Sequence, residues 1–273
     1  MVNKTLPILI LASIGVSGCL IRAPSNPGAS STNSPVMNFV GQNCLVKTSR
    51  TEASASVPLG YYTTGQPAAG MITTSKIGQS FKINTDGTYP LIVDLALLKI
   101  GRPSGNLFIA LETNTPGLPD GGATAQQVSP SADFDGKPSG NVLAGIHYHA
   151  EDLLMDNTSD NSHNTRISYL HLTLDQGTLS MNSPAATRSI ATNQNSQIHL
   201  AVDPKTHVGK YWITVQYQGN DSSNFIFWLA NNSNLYQNGR ALTLISNSVT
   251  SGLWTLTQVG VNRDMAFSFG CQN

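Results

Sequence analysis

The segment Gly145-Ile146-His147-Tyr148-His149-Ala150-Glu151-Asp152 holds the densest set of groups able to do chemistry. Side chains alternate faces along a strand, so His147, His149 and Glu151 project together if the segment is extended. Two imidazoles and a carboxylate bind zinc or iron and leave coordination positions open. The plainer reading is two partly exposed histidines on an edge strand or loop. Asp133-Phe134-Asp135-Gly136 has acidic spacing suggestive of calcium, but the repeating ligands and distal Glu of an EF-hand are absent, which makes it a turn. A structural Ca2+ held by backbone carbonyls would leave no mark in the sequence, and no other cofactor is indicated. No Gly-x-Ser-x-Gly elbow occurs. Glu112, Glu151, Asp94 and Asp175 are available for paired acid–base work, yet nothing places one of them in an apolar pocket. Trp212, Trp228 and Trp254 have faces that suit sugar rings but sit in strand patterns and read as core or sandwich edge. Tyr61, Tyr62 and Tyr148 lie in less regular segments and are the better candidates for exposure. The balance of motifs is that of a protein that is not an enzyme.

Composition narrows the partners. Charged residues make up 11% of the 273-residue chain, against an average of about 25%. Fifteen basic and fifteen acidic residues cancel. No basic stripe is present to neutralise phosphates, so nucleic acid is excluded as a partner. Asn, Ser, Thr, Gln and Gly fill the deficit, as in turn-rich extracellular β proteins.

The N-terminus carries an export signal over residues 1–18: Lys4, an apolar run from Leu6 to Ile14, then Gly15, Ser17 and Gly18 ahead of Cys19. The run is well short of the roughly 20 apolar residues that span a bilayer core. Val16-Ser17-Gly18-Cys19 resembles the lipobox of bacterial lipoproteins. That resemblance implies cleavage before Cys19, a diacylglyceryl thioether on its sulfur and an acyl chain, such as palmitate, on its new amino group. Several chains exceed what stable membrane anchoring needs. Leu20 follows where an inner-membrane retention signal would place Asp, so the resemblance implies the outer membrane if the source is Gram-negative. Residues 19–38 are rich in Pro, Ser, Asn and Gly and read as a flexible tether.

With Cys19 assigned to lipid, Cys44 and Cys271 remain, and an exported setting favours their pairing. Their bond requires the first and last strands to lie side by side. The alternative is two free buried thiols.

From Phe39 onward short apolar runs alternate with turn signals and no amphipathic helix is evident. Strands are expected at Ser80–Ile83, Tyr89–Ile100, Leu107–Leu111, Tyr169–Leu174, Ile198–Val202, Tyr211–Tyr217, Phe225–Leu229, Leu242–Ile245, Leu253–Thr257 and Met265–Phe269. The stretch 113–164 breaks the rhythm and reads as an elaborated loop, with a short strand at 142–148 and a helical turn near 150–155. Loops of that length often carry function. The expectation is an all-β antiparallel sandwich over residues 39–273.

Gly78-Gln79-Ser80-Phe81, LLKIGRPSGNLFIAL, Pro116-Gly117-Leu118-Pro119-Asp120-Gly121, GKYWITVQY and the closing LWTL…DMAFSFG resemble, in that order, the choice-of-anchor domains of bacterial surface proteins. The likeness covers roughly residues 71–270 and implies a jelly-roll, galactose-binding-like sandwich with no shared catalytic residues. Its long insertion departs from that pattern. The sequence thus points to a lipid-anchored envelope protein that binds a glycan or a surface protein. A structural envelope lipoprotein without a small ligand is the alternative, and a metal-dependent enzyme at His147, His149 and Glu151 the third reading.

Overall fold

Along Gly209–Tyr217 the chain meets two environments in turn. Tyr211, Ile213, Val215 and Tyr217 pack into the main core, while Trp212 and Thr214 are buried on the opposite face. That is the expected alternation, and it shows a sheet covered on both sides. The computed structural model describes residues 43–47, 55–62, 72–116, 136–153, 167–182, 196–217, 225–231, 236, 239–246, 252–256 and 264–271. The signal, Cys19, the tether and Asp133 to Asp135 lie outside the described residues.

The strands run β1 (Val46–Lys47), β2 (Ala55–Tyr62), β3 (Ile72–Ile83), β4 (Gly87–Pro90), β5 (Ile92–Ile100), β6 (Asn106–Thr115), β7 (Lys137–His149) and β8 (Ile167–Thr173). They continue as β9 (Gln197–Leu200), β10 (Gly209–Tyr217), β11 (Phe225–Asn231), β12 (Ala241–Ser246), β13 (Gly252–Leu256), β14 (Asp264–Met265) and β15 (Phe267–Phe269). The pairing is nested. β6 pairs with β7, β5 with β8, β4 with β9, β3 with β10, β2 with β11 and β1 with β15, every pair antiparallel. Each pair encloses the previous one in sequence, so the chain is one long antiparallel ribbon, doubled back between β6 and β7. Rolling that ribbon sets β6 against β10, and β5 against β11 and β15. This is a jelly-roll sandwich. The β12–β13 hairpin adds to the edge of β3, and β14 extends β11.

Between the two sheets lie Phe81, Leu95, Leu97, Leu111, Ile213, Trp228, Phe267 and Phe269. The Phe81 ring packs 5.0 Å from that of Phe269 and 6.0 Å from that of Tyr211, and the Trp228 indole donates to the Ala266 carbonyl at 3.0 Å. Trp212 and Trp254 are buried with Leu242 on the far side of the second sheet. All three tryptophans are therefore packing residues. A disulfide joins Cys44 to Cys271 just beyond the outermost pair, β1·β15. It ties the open end of the ribbon.

Three expectations need correction. Within 113–164 the strand expected at 142–148 and the helical turn near 150–155 are present as β7 and a 3-10 turn at Ala150–Asp152, but β6 runs to Thr115 and β7 is longer than expected, pairing with it from Lys137 to His149. Pro138 and Gly140 read as turn residues, but register shifts on either side of Glu112 admit them into an irregular edge strand. The strand expected at Tyr89–Ile100 is divided at Leu91, with β4 pairing with β9 in a small separate sheet and β5 entering the sandwich. Tyr61 and Tyr62 lie in β2, and Tyr148 lies in β7 against the core, so none is in irregular chain.

Candidate functional site

Strand register sorts the connections to two ends. Asn106 lies opposite His149, Leu107 opposite Tyr217, and Phe225 opposite Ile100. The connections β2–β3, β5–β6, β7–β8, β10–β11 and β12–β13 therefore leave from one end, while Cys44 and Cys271 are at the other, beside Phe269 and Ile92. The histidine segment belongs to the end away from the disulfide.

Its described part is a fixed platform. Gly101 and Gly105 sit at φ 74° and 95°, conformations that let the chain reverse tightly between β5 and β6. Tyr217 donates its hydroxyl to the Ser104 carbonyl at 2.9 Å, and the Ala150 N–H donates to the Gly105 carbonyl at 2.9 Å. After His149 the chain leaves strand geometry for a 3-10 turn, Ala150–Asp152. That corrects the expected alternation: Glu151 does not continue the face of His147 and His149. Its carboxylate instead accepts the Gly105 N–H at 3.1 Å. The N–H of Glu151 itself and that of Gly105 hold this carboxyl below the usual range. Lys99, buried beneath, donates to the Glu151 carbonyl at 2.8 Å, and burial pushes its ammonium down, offset in part by Glu151 and Asp152. Arg102, Ser104, Asn106, Glu151 and Asp152 are exposed on the top of this platform.

His147 is placed differently. It points from the outer face of β7 and is buried by residues 174–180, which run from β8 across to the second sheet. Gly145 and Asp175 exchange both backbone hydrogen bonds at 2.9 Å, and the His147 Nε2–H donates to the Ser180 carbonyl at 3.0 Å. The His147 ring lies 5.2 Å from that of Phe108, and its Nδ1 has no hydrogen-bond partner among the described residues. A Cβ at Gly145 would meet the Thr178 carbonyl at 2.7 Å, so the crossing chain sits against bare backbone. His147, His149 and Glu151 are thus not gathered around one point. Among the described residues no group of three or more His, Cys, Asp or Glu is arranged to hold a metal ion.

Two of the available carboxylates prove to be centres of buried polar clusters. Glu112, fully buried on the outer face of β6, takes the Lys76 ammonium and the Thr214 hydroxyl (2.7 Å) on Oε1 and the Gly140 N–H (3.1 Å) on Oε2. Beside it the Trp212 indole donates to Asn114 Oδ1 at 2.8 Å. Every partner comes from a different segment, so this carboxylate fastens β3, β6, β10 and the start of β7 together.

Asp94 is the second centre. Register sets it opposite Ser268 on one side and His171 on the other. The His171 Nδ1–H donates to Oδ1 at 2.6 Å and the Ser268 hydroxyl to Oδ2 at 2.5 Å. Ser268 Oγ also lies 3.2 Å from Cys271 Sγ. Asp94 and Ser268 are buried, whereas His171 is partly exposed. A serine, an aspartate and a histidine stand in line, but with the carboxylate between them, so no general base touches the hydroxyl as a Ser-His-Asp relay requires. His171 and Ser268 were not singled out by sequence, since cross-strand neighbours are invisible until register is known.

The Asp94 hydrogen bond raises the pKa of His171 above its ordinary value, against a smaller opposing effect of burial. A raised folded-state pKa stabilises the protein fully below the unfolded value and loses that contribution as pH rises through the folded one. The melting temperature should therefore fall as pH rises from the unfolded value of about 6.5 through the raised folded one, and His171→Gln should flatten that slope. A wild-type slope matched by the variant would show that His171 does not carry it.

No family model, curated protein or solved structure matches the chain.

Proposed function

We propose that this chain is a lipid-anchored cell-envelope protein whose jelly-roll domain binds a glycan or another surface protein. One observation carries the reading. The disulfide holds the N-terminal side of the domain, where the lipobox and tether lead in, at one end of the sandwich, and the platform of residues 101–106 and 149–152 stands at the other. An anchored domain of this build turns the platform away from the membrane. The buried polar groups support binding over catalysis, since Glu112, Asp94 and Lys99 are engaged in fastening strands and turns.

The anchor is tested by Cys19→Ser, which should move the protein from the membrane fraction to the soluble fraction. Unchanged membrane attachment would refute it. The binding end is tested by glycan-array screening and cross-linking of that released protein. Ligand contacts confined to residues near Cys44 and Cys271 would overturn the assignment of the platform.

A further inference from the structure

We propose that the row His171–Asp94–Ser268 guards the Cys44–Cys271 disulfide against thiol exchange, making it a permanent tie rather than a reversible switch. The two sulfurs are unequally placed. Cys271 is fully buried, with Ser268 Oγ at 3.2 Å and Asp94 Oδ2 at 3.9 Å, whereas Cys44 is only partly buried. An incoming thiolate reaches Cys44 and is barred from Cys271.

The chemistry of that attack then works against it. A bond forms between the incoming sulfur and Cys44 Sγ, the Cys44–Cys271 bond breaks, and its electron pair leaves on Cys271 Sγ. The leaving thiolate is generated in a buried site facing the Asp94 carboxylate. Burial and a like charge both disfavour it, and poorer leaving thiolates depart more slowly. A second thiol on the attacking dithiol completes reduction by displacing Cys44 and is itself oxidised. His171 holds Oδ1 and so keeps the Asp94 carboxylate beside the sulfur even where the Ser268 hydroxyl is absent. Ser268 gives its hydroxyl proton to Asp94, with its Oγ lying 3.2 Å from the Cys271 sulfur.

The test is the rate of reduction of the detergent-solubilised full chain by dithiothreitol, read by alkylating the freed thiols and weighing the protein. Removing the charge with Asp94→Asn should speed reduction by roughly tenfold, since a like charge no longer disfavours the leaving thiolate. Ser268→Ala keeps the charge and removes the hydroxyl, and should leave the rate unchanged or slower. Opening of a weakened fold would instead accelerate both variants, and that result would overturn the proposal, as would a rate for Asp94→Asn within twofold of wild type. Should Asp94→Asn fail to fold, the wild-type protein decides the matter with glutathione. The mixed disulfide is expected on Cys44, and glutathione found on Cys271 would refute the guarded arrangement.

Discussion

Replacing both Cys44 and Cys271 by Ala should lower the unfolding free energy by about 5 kcal/mol, the chain-entropy value for a loop of this length. The bond spans 227 residues, so its loss frees nearly the entire described domain in the unfolded state. Domains of this kind are stable by about 5 to 15 kcal/mol in total, and the variant should sit near its unfolding transition at ambient temperature. Urea titration under non-reducing conditions measures the difference. A loss below about 1 kcal/mol would mean that the β1·β15 pairing alone keeps the ribbon closed, or that strain in the bond offsets its entropic gain.

Glu112→Ala should cost about 3 to 5 kcal/mol, as breaking one side of a buried ion pair does. The loss exceeds the pair itself, because the buried Thr214 hydroxyl also loses its acceptor. The discriminating variant is Lys76→Met with Glu112→Leu. Replacing both charges by apolar groups of similar volume often restores stability, so the double variant should recover most of the loss. Equal instability of the single and double variants would show that the hydrogen bonds from Thr214 and Gly140, and not the charges, hold this part of the sheet.

Much of the architecture was legible because alternation reports burial directly. Tyr211 to Tyr217 gives both faces of β10, the runs at Phe225, Leu242 and Leu253 each form a strand, and that at Met265–Phe269 is broken at Ala266 into β14 and β15. What failed to show was governed by pairing rather than propensity. Pro138 and Gly140 are poor strand residues that β7 accommodates through its irregular register with β6. β2 has Pro58 and Gly60 inside it and is held by β11 and β3 on either side of Leu59. The pairing of Cys44 with Cys271 followed from counting thiols, and the structure shows it. The polar centres did not follow, because Asp94 and Glu112 look like ordinary solvent-facing strand residues until the chain that covers them is in place. Glu151 leaves the face of His147 and His149 because strand geometry stops at His149, where the helical turn expected near 150–155 begins.

The closed ribbon also decides how the domain answers mechanical force. If the platform grips a partner while the lipid holds the membrane, tension runs along the strands, not across them. Interstrand hydrogen bonds between sliding strands must then yield together, whereas strands peeled apart give way one bond at a time. β1, the first strand among the described residues, is the natural place for peeling to begin, since it is two residues long. The covalent link from Cys44 to Cys271 passes the pull on to β15 as well, and through it to β5 in the centre of the sheet.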